Sequence, residues 1–172
     1  MKKSGQEYAE KNEEIKYEFN IKNLSNTNLE KLIWKEYIPY KQSKITQIIT
    51  GTYNEELNYN IYYKINNGEY KLLKECNSKV SEYINLQSIE LQANEDITEI
   101  MVEYNNVSNN FENVIKPVVY IKVNDKVKNN EKIINNTELI GQVDGFEVID
   151  KSKYETLVKK KTISKKLPKT GG

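Results

Sequence analysis

Hydrophobic and polar residues alternate along much of the chain with the two-residue period of a β-strand. Ile15, Tyr17, Phe19 and Ile21 share one face, and Lys16, Glu18, Asn20 and Lys22 share the other. Leu57, Tyr59, Ile61, Tyr63 and Ile65 repeat the pattern and run into Asn66-Asn67-Gly68. Asn-Gly accepts the positive φ angles of a tight hairpin turn, so Glu69 to Lys74 is predicted to return antiparallel. Thr98, Ile100, Val102 and Tyr104 alternate with Glu99, Met101 and Glu103. Val118 to Val123 is apolar on both faces, which predicts a central strand. Ile45 to Tyr53, Ile133 to Val143, Phe146 to Ile149 and Tyr154 to Val158 bring the total to eight or nine strands. Only Gln6 to Glu14 and Leu29 to Trp34 carry weak helical character. Strands at this spacing, joined by Asn, Gly and Asp turns, predict an all-β, immunoglobulin-like antiparallel β-sandwich. The expected boundaries are a lead-in over 1–13, the sandwich over 14–158 and a flexible lysine-rich linker over 159–172.

Composition narrows the chemistry. The 172 residues are 37% hydrophobic and 30% charged, with no apolar run near the roughly 18 residues of a membrane span. Histidine is absent, which removes the usual general base and the commonest metal ligand. All 26 basic residues are Lys, so the bidentate guanidinium fork suited to phosphates and guanine edges is missing too. Cys76 is the single cysteine and has no histidine to activate it. Up to Asp150 there are 18 Lys against 24 Asp and Glu; from Lys151 onward there are 8 Lys against Glu155 alone. An acidic body therefore carries a basic tail, which is read as a solvated linker and not as a nucleic-acid module.

The tail ends in Leu167-Pro168-Lys169-Thr170-Gly171. This resembles the LPXTG sorting signal of Gram-positive surface proteins at every fixed position. The resemblance implies recognition by a class A-type sortase, cleavage between Thr170 and Gly171, and transfer to an amine of the peptidoglycan precursor. Pro168 holds Leu167 extended, and Gly171 lets the backbone approach closely. The apolar span and basic tail that follow such signals are expected in a longer precursor, which would be secreted and wall-anchored; contact with the membrane would be only through that tail.

The body also resembles the membrane-proximal β-sandwich repeat of Firmicutes surface proteins. The likeness rests on Ile33-Trp34-Lys35-Glu36-Tyr37-Ile38-Pro39, Ile45 to Asn54 and Ile133-Ile134-Asn135-Asn136-Thr137. Members are pilin-like or adhesin stalk domains, so the resemblance implies no catalytic residue, cofactor or metal. It also raises a Lys–Asn isopeptide crosslink, which needs a neutral buried Lys beside an Asn and a protonated acid. Lys122, in the apolar run Val118 to Val123, with Asn135 or Asn136 is the best match in the sequence. Glu36, Asp96, Asp125 and Asp144 could in principle serve a glycosidase, but their spacing singles out no pair. Asn94-Glu95-Asp96 and Asp144-Gly145 lack the alternating acids of a calcium loop. Tyr17, Tyr59, Tyr63, Tyr104 and Trp34 read as core, and Tyr40, Tyr53 and Tyr62 as freer. The chain is therefore expected to be a wall-anchored stalk and a substrate of the sortase. The alternative is an adhesin module contacting a host protein or glycan through its loops.

Overall fold

The structure, a computed structural model, describes residues 1–160; the Leu167 to Gly171 motif lies outside them. The strands are β1 (Lys3–Ser4), β2 (Tyr8–Ala9), β3 (Glu14–Phe19), β4 (Leu29–Tyr37), β5 (Ser43–Ile49), β6 (Thr52–Tyr53) and β7 (Asn58–Ile65). They continue with β8 (Lys71–Asn77), β9 (Tyr83–Asn85), β10 (Ile97–Val107), β11 (Asn113–Ile115), β12 (Val118–Val123), β13 (Lys132–Val143) and β14 (Phe146–Val158). One sheet has the order β1-β3-β12-β5-β9 and the other β2-β14-β13-β4-β10-β7-β8, with β6 and β11 forming a small ribbon. The result is the predicted all-β, immunoglobulin-like sandwich.

The alternation read from the sequence is the alternation of burial. Ile15, Tyr17, Phe19 and Ile21 are all fully buried between the sheets, while Lys16 and Lys22 face solvent. Trp34 packs on Phe19 with ring centroids 4.7 Å apart, joining the two sheets through their aromatic side chains. Farther along, Tyr53, Tyr59, Tyr104 and Phe111 form a second aromatic group, in which Tyr53 stacks on Phe111 at 5.1 Å. Tyr53, read from the sequence as freer, is thus core; its hydroxyl hydrogen-bonds that of Tyr104. Tyr63 is only partly buried.

Asn66 and Asn67 both adopt positive φ, and the Gly68 N–H donates to the Ile65 carbonyl, closing the predicted hairpin between β7 and β8. Asp144-Gly145 does the same between β13 and β14. This hairpin replaces two expected strands by one, because β14 runs unbroken from Phe146 to Val158.

Two expectations at the amino-terminal side are corrected. Leu29 to Trp34 is strand, not helix, and lies within β4 between β13 and β10. Both faces of β4 are covered there: Leu32 and Trp34 point into the core, and Ile33 packs with Met101 and Ile140 on the outer face. The supposed lead-in over 1–13 belongs to the sandwich. Its residues form β1 against β3 and β2 against the end of β14, where Tyr8 pairs with Leu157 and Ala9 with Val158 in parallel.

Candidate functional site

At the edge where the amino-terminal segment crosses between sheets, a lysine, a carboxyl and an asparagine meet. Glu36 lies on β4 directly opposite Thr137 on β13, and Asn135 lies two residues from Thr137 on the same inward face. That face continues the core row Ile133, Asn135, Thr137, Leu139, so strand periodicity alone carries two polar side chains into the interior. Glu36 and Asn135 are 0% exposed and Thr137 is 1% exposed. Lys3 belongs to the opposite sheet, where β1 pairs with Phe19 of β3, and its side chain reaches across the gap.

Lys3 Nζ donates to Asn135 Oδ1 at 2.6 Å, to the Asn135 backbone carbonyl at 2.7 Å and to Thr137 Oγ1 at 2.8 Å. The Thr137 hydroxyl in turn donates to Glu36 Oε2 at 2.9 Å. Tyr17 and Phe19 wall the amine, with ring centroids 5.7 and 5.9 Å from Nζ. Gly5 permits this close approach of the segment, since a Cβ there would sit 2.9 Å from the Tyr17 ring and 3.0 Å from Tyr154.

Three buried polar atoms around the cluster make no hydrogen bond: Glu36 Oε1, Asn135 Nδ2 and Trp34 Nε1. Leaving such groups unpaired is costly, and it recurs where chemistry requires it. Burial disfavours both charges and drives the two groups toward neutrality. It pushes the Lys3 amine down to about 8, against the opposing pull of Glu36. It pushes the Glu36 carboxyl up to about 7, opposed by Lys3 and by the Thr137, Asn135 and Trp34 side chains beside it.

Of the crosslink residues expected from sequence, Asn135 is at this site. Asn136 is exposed on the opposite face of β13, where it pairs with Lys153 and Tyr37. Lys122 is also exposed, on the outer face of the other sheet between Glu14 and Lys44, and is not brought to Asn135. Alternation explains this, because its neighbours Ile121 and Val123 take the inward positions. Lys3 takes that place instead, and no local pattern in the sequence announces it. Glu36 had a signal that could have been used: it continues the inward row Leu32, Trp34 and would put a carboxyl in the core.

The other candidate carboxylates do not converge. Asp125 and Asp144 are exposed in separate turns, and Asp96 closes a loop by backbone bonds with Asn66. Among the described residues no group of three His, Cys, Asp or Glu side chains could hold a metal ion. Cys76 is buried, and burial pushes its thiol up to about 12, so it is inert as a nucleophile at neutral pH.

No family model matches the chain, and no curated protein matches it. Among solved structures it is similar to the C-terminal domain of the Streptococcus agalactiae AgI/II polypeptide BspA, at 11% identity and a TM-score of 0.40. That match covers 89% of this chain and 45% of the other, so the chain spans less than half the length of the BspA chain. It is also similar to ACE19, the collagen-binding subdomain of Enterococcus faecalis surface protein ACE, at 14% identity, a TM-score of 0.39 and coverage of 92% and 95%. A collagen-binding domain from a Staphylococcus aureus adhesin gives 14% identity, a TM-score of 0.42 and coverage of 90% and 95%. TM-scores of this size are too low to carry a family or a function to this chain.

Proposed function

We propose that this chain is a self-crosslinking β-sandwich module of a Gram-positive surface protein, welded internally between Lys3 and Asn135 and externally to the cell wall through Leu167 to Gly171. The observation that carries the first half is the 2.6 Å approach of Lys3 Nζ to the Asn135 side-chain carbonyl beside a buried, partner-short Glu36. The neutral amine attacks Asn135 Cγ, forming the new C–N bond and giving up a proton. The Cγ–Nδ2 bond breaks, and Nδ2 takes a proton and leaves as ammonia. Glu36, protonated when the attack begins, gives its proton to Nδ2 and takes the one the amine loses, so it ends the cycle as it began. No oxidant, hydrolysis or cofactor is needed to balance the reaction.

The second half rests on the sequence motif and its place after a basic linker. In that reaction the chain is the substrate. The sortase supplies the cysteine, and the peptidoglycan precursor supplies the amine.

Both halves are read by intact mass. The folded chain should be lighter than its sequence by one ammonia, and a peptide joining Lys3 to Asn135 should survive digestion. A chain at full sequence mass removes the internal bond from the proposal. Incubation with a class A-type sortase and an amine nucleophile should exchange Gly171-Gly172 for the amine, with Thr170→Ala inert. An untouched terminus removes the wall anchor.

A second reading, the adhesin module, is supported by the end of the β13–β14 hairpin. Phe146 is 75% exposed, and Val148, Ile149 and Leu24 are also exposed. A shallow apolar groove beside them is lined by Leu24, Leu29, Leu139 and Val148. Such a patch on a surface module fits contact with a host protein or glycan. Replacing Phe146 and Val148 by Ser should lower adhesion of the displayed module to matrix-coated surfaces while leaving the ammonia loss intact. Unchanged adhesion removes this reading.

A further inference from the structure

On the crosslinking reading above, we infer that the Thr137 hydroxyl is the proton relay between Lys3 and Glu36, so that Glu36 works through its two oxygens at opposite ends of the reaction. The argument begins with where the lysine protons go. The three acceptors around Lys3 Nζ are the Asn135 backbone carbonyl, Asn135 Oδ1 and Thr137 Oγ1. A backbone carbonyl is not a base, and Oδ1 belongs to the group under attack. Only the third acceptor leads onward, because Thr137 Oγ1 donates to Glu36 Oε2. Among the described residues Glu36 Oε2 accepts from Thr137 and Oε1 from nothing, while the amine bonds only Asn135 and Thr137, so the carboxyl has no direct bond to the amine.

The hydroxyl is therefore oriented as a wire, accepting from nitrogen and donating to carboxylate. A proton passed along it leaves Nζ neutral and Glu36 protonated, with Thr137 unchanged. Rotation about the Cε–Nζ bond then turns the freed lone pair from Thr137 toward Asn135 Cγ. Glu36 Oε1 and Asn135 Nδ2 are both without partners, and the Asn135 amide lies against this carboxyl. Oε1 is thus the oxygen left to protonate the leaving nitrogen once the two come together, while Oε2 receives through Thr137. The titratable groups facing the cluster are Lys3 from β1, Glu36 from β4, Tyr17 from β3 and Tyr154 from β14, whose ring packs edge-on against Tyr17. Burial holds the Tyr17 phenol far above its ordinary range, so it is no competing base near neutral pH.

The test follows ammonia loss by intact mass in chains freshly made by cell-free synthesis, across a range of pH. Thr137→Val keeps the shape and strand preference but removes the hydroxyl, and it should slow the reaction by about 100-fold or more. Its rate should no longer fall at high pH, since hydroxide must now take the amine proton and offsets the loss of the Glu36 proton. Thr137→Ser restores the hydroxyl and should return both the rate and the wild-type pH profile. A merely structural role for Thr137 would change neither the shape of the profile nor be rescued in this way. Thr137→Val reacting at the wild-type rate overturns the relay while leaving the crosslink standing. A wild-type chain that never loses ammonia overturns the crosslink itself. Should the Val variant not fold, the wild-type rate in mixtures of H2O and D2O decides. A curved dependence is expected for two protons moving together, and a straight line overturns the relay.

Discussion

Glu36→Gln should leave the chain at the full mass of its sequence on the time scale in which the parent loses ammonia. The change keeps the size of the side chain but removes its ability to take and return a proton. Loss of a general acid–base group slows a reaction by about 100- to 10,000-fold. The parent's own pH dependence has a definite form. Lys3 must be neutral and Glu36 protonated, and their pKa values lie at about 8 and about 7. Below about pH 7 the rate should rise with pH as Lys3 loses its proton. Above about pH 8 it should fall as Glu36 loses its own. Between these values the two trends offset one another and the rate should be level, a profile that belongs to the coupled pair and not to either residue alone. A Glu36→Gln chain that crosslinks at the parental rate would sink the assignment of Glu36.

Asn135→Ala should lower the melting temperature by about 10–20 °C. Lys3 and Asn135 are 132 positions apart, so the bond closes most of the chain into one loop. The entropy removed from the unfolded state by a loop of that length corresponds to about 5 kcal/mol, if a covalent staple of any chemistry acts as a disulfide does. For a domain of this size each kcal/mol moves the midpoint by about 2–4 °C. Calorimetry of the two chains measures the difference. Because the ammonia-loss assay identifies which chains carry the bond, a small shift between a linked parent and an unlinked variant would show that the stabilising effect lies elsewhere.

Strands with one buried face were legible because their chemistry repeats every second residue. β3 and β7 were read correctly for this reason. β4 was not, because Leu29, Leu32 and Ile33 fall at the i, i+3, i+4 spacing of a helix. They do so on a central strand with apolar neighbours on both faces, where the two-residue period disappears. The site was legible in the same proportion. Asn135 follows Ile133 by two and so had to point inward, and Glu36 follows Trp34 by two with the same result. Lys3 has no such neighbour. β1 is two residues long, and only its pairing with Phe19 and the gap left by Gly5 bring its side chain over the cluster. That information is tertiary, so a short polar segment was read as a lead-in and a better-patterned lysine was chosen in its place.

The parallel run of β2 beside β14 has a mechanical consequence. Tension that draws the two ends of the sandwich apart would tug these neighbouring strands in opposite senses along their length. The bonds from Leu157 N to Glu7 O and from Lys159 N to Ala9 O then resist together and cannot peel open in turn. With Lys3 fastened to Asn135, the long stretch of polypeptide between them, β2 included, stays slack under the same pull. The shear of β2 against β14 therefore carries load only in a chain without that bond. What remains exposed to the force is the short passage through β13 and β14, the part of the molecule best suited to act as its strain gauge.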